Sequence, residues 1–187
     1  MSNQNDFIEV ELKDEWKIKV RNFVNDNLNF VCNTTNTEIK SDQDYIGFLG
    51  QSSVGITING MTIDDTLTSK PNGDEGIDIT INGVKYDVKT RGCNYYPQSN
   101  YSVLVKVTDI ENHPLTDGFI FVAFMRDESK VIITGYITKE KFLQVARLRK
   151  QGEYSEVGFQ FKVDNYECHI SDLNNTKELL LKPKDSE

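Results

Sequence analysis

Gly76-Ile77-Asp78-Ile79-Thr80-Ile81-Asn82-Gly83-Val84-Lys85-Tyr86-Asp87-Val88-Lys89-Thr90-Arg91 consists of two runs of alternating apolar and polar residues hinged on Asn82-Gly83. Asn-Gly between alternating runs is the strongest short-range signal for a hairpin, because both residues tolerate the positive φ of a type I′ turn. A two-residue turn fixes the register: Ile81 pairs with Val84, Thr80 faces Lys85, Ile79 faces Tyr86, and Asp78 faces Asp87. The period of two then sorts the faces. Ile77, Ile79, Ile81, Val84, Tyr86 and Val88 share the core side. Asp78, Thr80, Lys85, Asp87 and Lys89 share the other.

Upstream, Ile56-Thr57-Ile58-Asn59-Gly60 repeats the residues of Ile79-Thr80-Ile81-Asn82-Gly83. By the same rule it reads as a second strand and Asn-Gly turn, so two hairpins are expected. Before it, Trp16, Val20, Phe23, Val24 and Leu28 recur at helical spacing, which predicts a helix over 14–28 with Asp14 as its cap. A short helix after Asp42 carries Tyr45, Phe48 and Leu49, weakened by Gly47 and Gly50. Residues 61–76, rich in Asp, Thr, Asn and Gly, read as a loop.

Downstream, strands are expected over 101–107, 119–125 and 131–137. The second is nearly continuous in apolar residues, as in a central strand covered on both faces. A helix over 138–152 follows, with Phe142, Val145, Ala146 and Leu148 as its inner stripe and Arg147, Arg149 and Lys150 in its last turn, where the helix dipole favours cations. A last strand lies near 166–170, and the charged tail from Lys177 frays. The whole is one α/β domain over 1–187, a mixed central β-sheet flanked by helices.

The chain has 187 residues, 37% apolar and 10% aromatic, enough for one well-formed core. No apolar run approaches the roughly 18 residues needed to span a bilayer, and the first six residues lack the basic and apolar parts of a signal peptide. Cys32, Cys93 and Cys168 are odd in number and far apart, so free thiols in a reducing cytoplasm are expected. The net charge of −8 argues against a protein that coats nucleic acid generally. It leaves room for an enzyme that touches it over a short patch.

The polar face of the hairpin carries the chemistry. Two carboxylates opposite each other, with Cβ atoms roughly 5 Å apart, repel unless something offsets them. A hard divalent cation does so, taking carboxylate oxygens, carbonyls and waters. Lys89, two residues beyond Asp87, reaches a water held there. Hydrolysis of a phosphodiester needs this set: a cation to stabilise charge on the phosphate, and a group to orient the attacking water. The alternative is a solvent-facing strand whose Asp78, Asp87, Lys85 and Lys89 form ordinary surface ion pairs.

Asp78, eight residues, then Asp87-Val88-Lys89, with a helix before and strands and a helix after, resembles the PD-(D/E)XK nuclease superfamily over about residues 14–150. The resemblance implies a restriction-endonuclease-like fold and a Mg²⁺- or Mn²⁺-dependent nuclease acting on DNA. Asp78, Asp87 and the Val88 carbonyl would hold the metal, and Lys89 would position the water. Gly47-Phe48-Leu49-Gly50-Gln51 is similar to the family's preceding acidic segment, with Gln51 where Glu is usual; Glu38 and Asp44 are alternative suppliers of the acid. Ile77 stands where the family has Pro. The resemblance further implies a phage-like origin, a host cytoplasm if viral, and a possible homodimer. The alternative from another class is a nuclease-fold protein that binds nucleic acid or a partner protein without cutting.

For DNA contact the candidates are Lys85, Arg91, Lys106, Arg147, Arg149 and Lys150. Residues 138–150 carry five basic side chains against Glu140 alone. Tyr95, Tyr96 and Tyr101 are available to stack on bases. His113 and His169 lack zinc spacing and read as structural. Asp64, Asp65, Asp74 and Glu75 lack the spacing of a calcium loop and read as a flexible acidic loop able to gate the site.

Overall fold

The computed structural model describes residues 7–31, 37–67 and 76–180, with only the backbone of 28–31 and 37–41. In chain order the elements are β1 (Ile8–Glu11), α1 (Asp14–Val31), α2 (Thr37–Asn59), α3 (Ile63–Thr66), β2 (Ile79–Ile81), β3 (Val84–Cys93) and β4 (Ser102–Lys106). There follow α4 (Val107–Asn112), β5 (Gly118–Met125), β6 (Lys130–Thr138), α5 (Lys139–Val145), β7 (Arg147–Arg149) and β8 (Asn165–His169), then two short 3₁₀ turns, Ile170–Asp172 and Thr176–Leu180. The predicted helix over 14–28 and the strands over 101–107, 119–125, 131–137 and 166–170 are therefore present.

A five-stranded sheet runs in the order β1-β6-β5-β3-β2, and a three-stranded sheet in the order β4-β8-β7. In the larger sheet β3 and β5 are parallel and the other pairs antiparallel. The fold class is thus a mixed α/β sheet flanked by helices. The near-continuous apolar run of β5 has the expected reason. Ile120, Val122 and Phe124 face a core built with Val20 and Val24 of α1 and Tyr45, Leu49 and Val54 of α2. Phe119 and Phe121 face a second core with Val103, Val105, Phe142 and Cys168. Helices α1 and α2 cover one face of the large sheet; the small sheet and α5 cover the other.

The hairpin forms with the first three of the expected pairs; the fourth, Asp78 opposite Asp87, is not formed, because the Asp78 amide donates to the carbonyl of Tyr86, which already pairs with Ile79. Asn82 and Gly83 have φ of 51° and 82°, the type I′ signature, and Ile81↔Val84, Thr80↔Lys85 and Ile79↔Tyr86 are paired. Ile79, Ile81, Tyr86 and Val88 are buried.

Two further expectations are corrected. The Ile56–Gly60 pentapeptide is not a second hairpin but the last turns of α2, which runs unbroken from Thr37 to Asn59. Gly60 (φ 66°) ends the helix, and the Met61 amide donates to the Gly55 carbonyl at 3.3 Å. Tyr45, Leu49 and Ile56, at the helical spacing i, i+4, i+11, all reach the core and carry the chain past the weak local propensity. The glycines expected to weaken this segment do not break it. Gly50 lets α2 lie directly on β3.

The second correction is α5, expected over 138–152. It begins where expected, with the Thr138 hydroxyl accepting from the Lys141 amide, but stops at Val145. Arg147, Leu148 and Arg149 instead form β7, paired with Glu167, Tyr166 and Asn165 of β8. Phe142 is the one fully buried side chain of the expected inner stripe, Ala146 packs partly against it, and Val145 and Leu148 are exposed. Backbone pairing on the open side of β8 outweighs a short amphipathic pattern with little core to face. The expected loop over 61–76 contains α3, which has a reciprocal Thr62–Asp65 capping box. Residues 68–75, with Asp74 and Glu75, lie outside the described residues, as do Cys32 and residues 181–187. Among the described residues no helix is long and apolar enough to cross a membrane.

Candidate active site on β3

Asp87 and Lys89 alternate with Val88 on β3, so they share a face by strand geometry. That face is not the solvated one. In the parallel pairing with β5, Asp87 stands beside Phe119 and Lys89 beside Phe121, both members of the second core. The polar side of the hairpin thus becomes covered once β3 is inside the sheet. Asp87 is buried, which rules out the simple solvent-facing strand for this pair.

The Lys89 ammonium lies 2.8 Å from Asp87 Oδ2 and 2.6 Å from Asp109 Oδ2 of α4. The side chains are 25% (Lys89), 8% (Asp87) and 23% (Asp109) exposed. Burial pushes the Asp87 carboxyl above its ordinary value, against the pull of Lys89. Burial alone would lower Lys89, but the charge of Asp87 and the hydrogen bonds to Asp109 and Asp87 outweigh it and hold the amine above its ordinary value. Lys89 is therefore a firmly charged ammonium.

Asp78 sits where β2 leaves β3. The regular pairing ends at Ile79. The Asp78 amide donates to the Tyr86 carbonyl at 2.9 Å, and its Oδ2 accepts from the Val88 amide at 2.7 Å. In a strand, the N–H and C=O of one residue point to the same side. The Val88 carbonyl therefore points away from β5, to the side where Asp78 stands. Gln51 of α2 reaches this fork too, its side-chain amide donating to the Asp78 main-chain carbonyl at 3.4 Å. The structure thus brings together Asp78, Val88 and Gln51 at the fork, and Asp87, Lys89 and Asp109 beside it.

Asp109 was not singled out in the sequence. It lies 20 residues from Lys89 in an unremarkable polar stretch, and only the crossing from β3 through β4 and α4 to β5 brings it in. His113, read as structural, directly follows α4. A β-carbon on Gly76 would meet its ring at 2.3 Å, and its Nδ1 is buried without a hydrogen-bond partner among the described residues. Asp64 pairs with Lys19 and Asp65 caps α3, so neither is a loose loop carboxylate.

The candidate DNA contacts divide. Arg91 is exposed, two positions beyond Lys89 on the same face of β3, and Lys106 is exposed at the start of α4. Lys85 is half-buried, its main chain tied to Asp117. Arg147, Arg149 and Lys150 belong to the edge of the small sheet and the turn after it rather than to a helix end. Arg149 forms a buried pair with Glu167 and lies over the Phe161 ring, and Lys150 pairs with Asp164. Tyr95 is exposed, Tyr96 donates to Glu9 at 2.9 Å, and Tyr101 packs on the second core.

Carboxylate and carbonyl oxygens are the hard donors Mg²⁺ takes. Asp78, Asp87 and the Val88 carbonyl are donors of that kind. The donor chemistry therefore fits such an ion, although among the described residues no group of three or more His, Cys, Asp or Glu side chains is gathered as a metal site. Cys93 and Cys168 are free, and burial pushes the Cys168 thiol up to about 12, which makes it inert. No family model matches the chain, and neither a curated protein nor a solved structure matches it.

Proposed function

We propose that this protein is a Mg²⁺- or Mn²⁺-dependent nuclease that hydrolyses DNA phosphodiester bonds, with a site of the PD-(D/E)XK type. The observation that carries the reading is the covered Asp87–Lys89 pair beside the Asp78–Val88 fork. A surface hairpin has no reason to bury a carboxylate and hold an ammonium against it, since desolvating such charges is costly.

In this reading Asp78, Asp87 and the Val88 carbonyl hold the metal. When bound, it supplies positive charge to the phosphate oxygens and lowers the pKa of the attacking water. Lys89 holds that water by an N–H hydrogen bond and stabilises its deprotonated form, which suits an amine kept charged. Gln51 braces the Asp78 main chain and brings no charge of its own. Arg91 and Lys106, exposed near the pair, meet the phosphates on either side of the cut. Contacts to phosphates carry no sequence information directly.

The test is direct. Purified protein with Mg²⁺ or Mn²⁺ is offered linear, circular, single-stranded and branched DNA, beside Lys89→Ala. Cleavage by the wild type that the variant loses supports the reading. Salt-dependent binding without cleavage makes the chain a non-cutting DNA binder, and absence of both ends the nuclease reading.

A further inference from the structure

Lys89 has two carboxylate partners where the chemistry needs one lysine free to act. If Asp87 were its only counter-ion, engaging Asp87 with a cation would leave a largely covered ammonium without a partner, at the desolvation cost of a lone charge. Asp109 removes that conflict: it lies closer to Nζ than Asp87 does, 2.6 Å against 2.8 Å. Its helix is fixed independently. α4 buries no side chain, but the Lys139 ammonium donates to the Ile110 and His113 carbonyls at 3.1 and 3.0 Å, gripping its C-terminal end.

We infer that Asp109 is a positioning residue for Lys89, a second counter-ion that holds the ammonium in place when Asp87 is engaged elsewhere. This rests on the nuclease reading for its purpose, not for its geometry. Asp109 needs to touch neither metal nor DNA. It acts through Lys89 alone, so its effects should vanish when Lys89 is absent.

Two measurements decide it. In protein labelled with ¹⁵N-lysine, the Lys89 ammonium resonance, assigned by its loss in Lys89→Met, should persist in Asp87→Asn. It should disappear into exchange with water in Asp87→Asn/Asp109→Asn and return in Asp87→Asn/Asp109→Glu. Loss of the resonance in Asp87→Asn alone, or its survival in the double variant, overturns the proposal.

The second measurement is the Mg²⁺ concentration giving half the maximal thermal stabilisation, with the metal alone as probe. Asp109→Asn should raise it on the order of tenfold, because Lys89 then competes for Asp87 undivided. In the Lys89→Met background the same substitution should leave it unchanged. A shift that persists there makes Asp109 a metal ligand and overturns its positioning role. If the wild type shows no response to Mg²⁺, the metal-nuclease reading falls, and the ammonium resonance still decides the role of Asp109.

Discussion

Gly50 of α2 lies against Thr90 of β3 so closely that a β-carbon on Gly50 would stand 2.0 Å from the Thr90 Oγ1. The contact sets how near the helix carrying Gln51 comes to the strand carrying Asp87 and Lys89. Gly50→Ala should therefore destabilise by about 2–3 kcal/mol, beyond the gain in helix propensity, because the neighbour is a short, stiff side chain in a packed sheet. Thr90→Ala in the same chain should recover most of the loss. Urea unfolding of the two single variants and the double one measures this coupling, and additivity would show that the two residues are not in contact.

Arg149 and Glu167 form an ion pair with side chains only 11% and 10% exposed. Burial raises the Glu167 carboxyl, but hydrogen bonds from Ser102 and Arg149 outweigh it and hold it below its ordinary value. A carboxylate lowered in the folded state stabilises above its unfolded pKa of about 4.3 and loses that contribution as pH falls through the folded value. Arg149→Met should cost about 2–4 kcal/mol at pH 7 by leaving Glu167 covered and unpaired, whereas Arg149→Met/Glu167→Leu should recover much of it. Glu167→Gln should flatten the loss of stability on the acid side. Denaturant midpoints at neutral and acid pH check all three outcomes.

Mg²⁺ or Mn²⁺ should raise the melting temperature, by about 1.4 kcal/mol of stability at ten times the dissociation constant. Asp87→Asn should abolish the response. In metal-free protein it leaves Asp109 as the remaining carboxylate partner of Lys89. A melting curve of Asp87→Asn that still rises with metal would remove Asp87 from the ligand set.

Lys89→Ala should lower turnover about 10²- to 10⁴-fold while leaving DNA affinity nearly intact, since one lysine is a small part of the phosphate contacts. Neutralising Arg91 and Lys106 together should do the reverse, reducing the slope of log affinity against log salt by about 1.8. Lys150→Gln should change that slope little, because its charge is already paired with Asp164. Filter binding and single-turnover cleavage separate the two effects.

The sequence alone determined β2, β3 and their turn. Asn82-Gly83 fixes the register, and alternation from Ile77 to Val88 decides which side chains share a face, both short-range matters. It also placed Lys89 on the face of Asp87. It did not tell that this face is covered, nor that Asp109 closes on Lys89, because both depend on β5 and α4 crossing back from far along the chain.

The limit of local sequence is plainest in Ile-Thr-Ile-Asn-Gly. At 79–83 it turns a hairpin; at 56–60 it ends a helix, and the Asn59 side chain of the one donates to the Thr80 carbonyl of the other at 3.0 Å. The five residues are identical, so their intrinsic preferences are too. What differs is the neighbours each copy packs against. Val84, Tyr86 and Val88 continue a period of two beyond the second copy, while Tyr45 and Leu49 bring a helical stripe that Ile56 of the first copy continues, and the period that buries each stripe in the core selects the backbone.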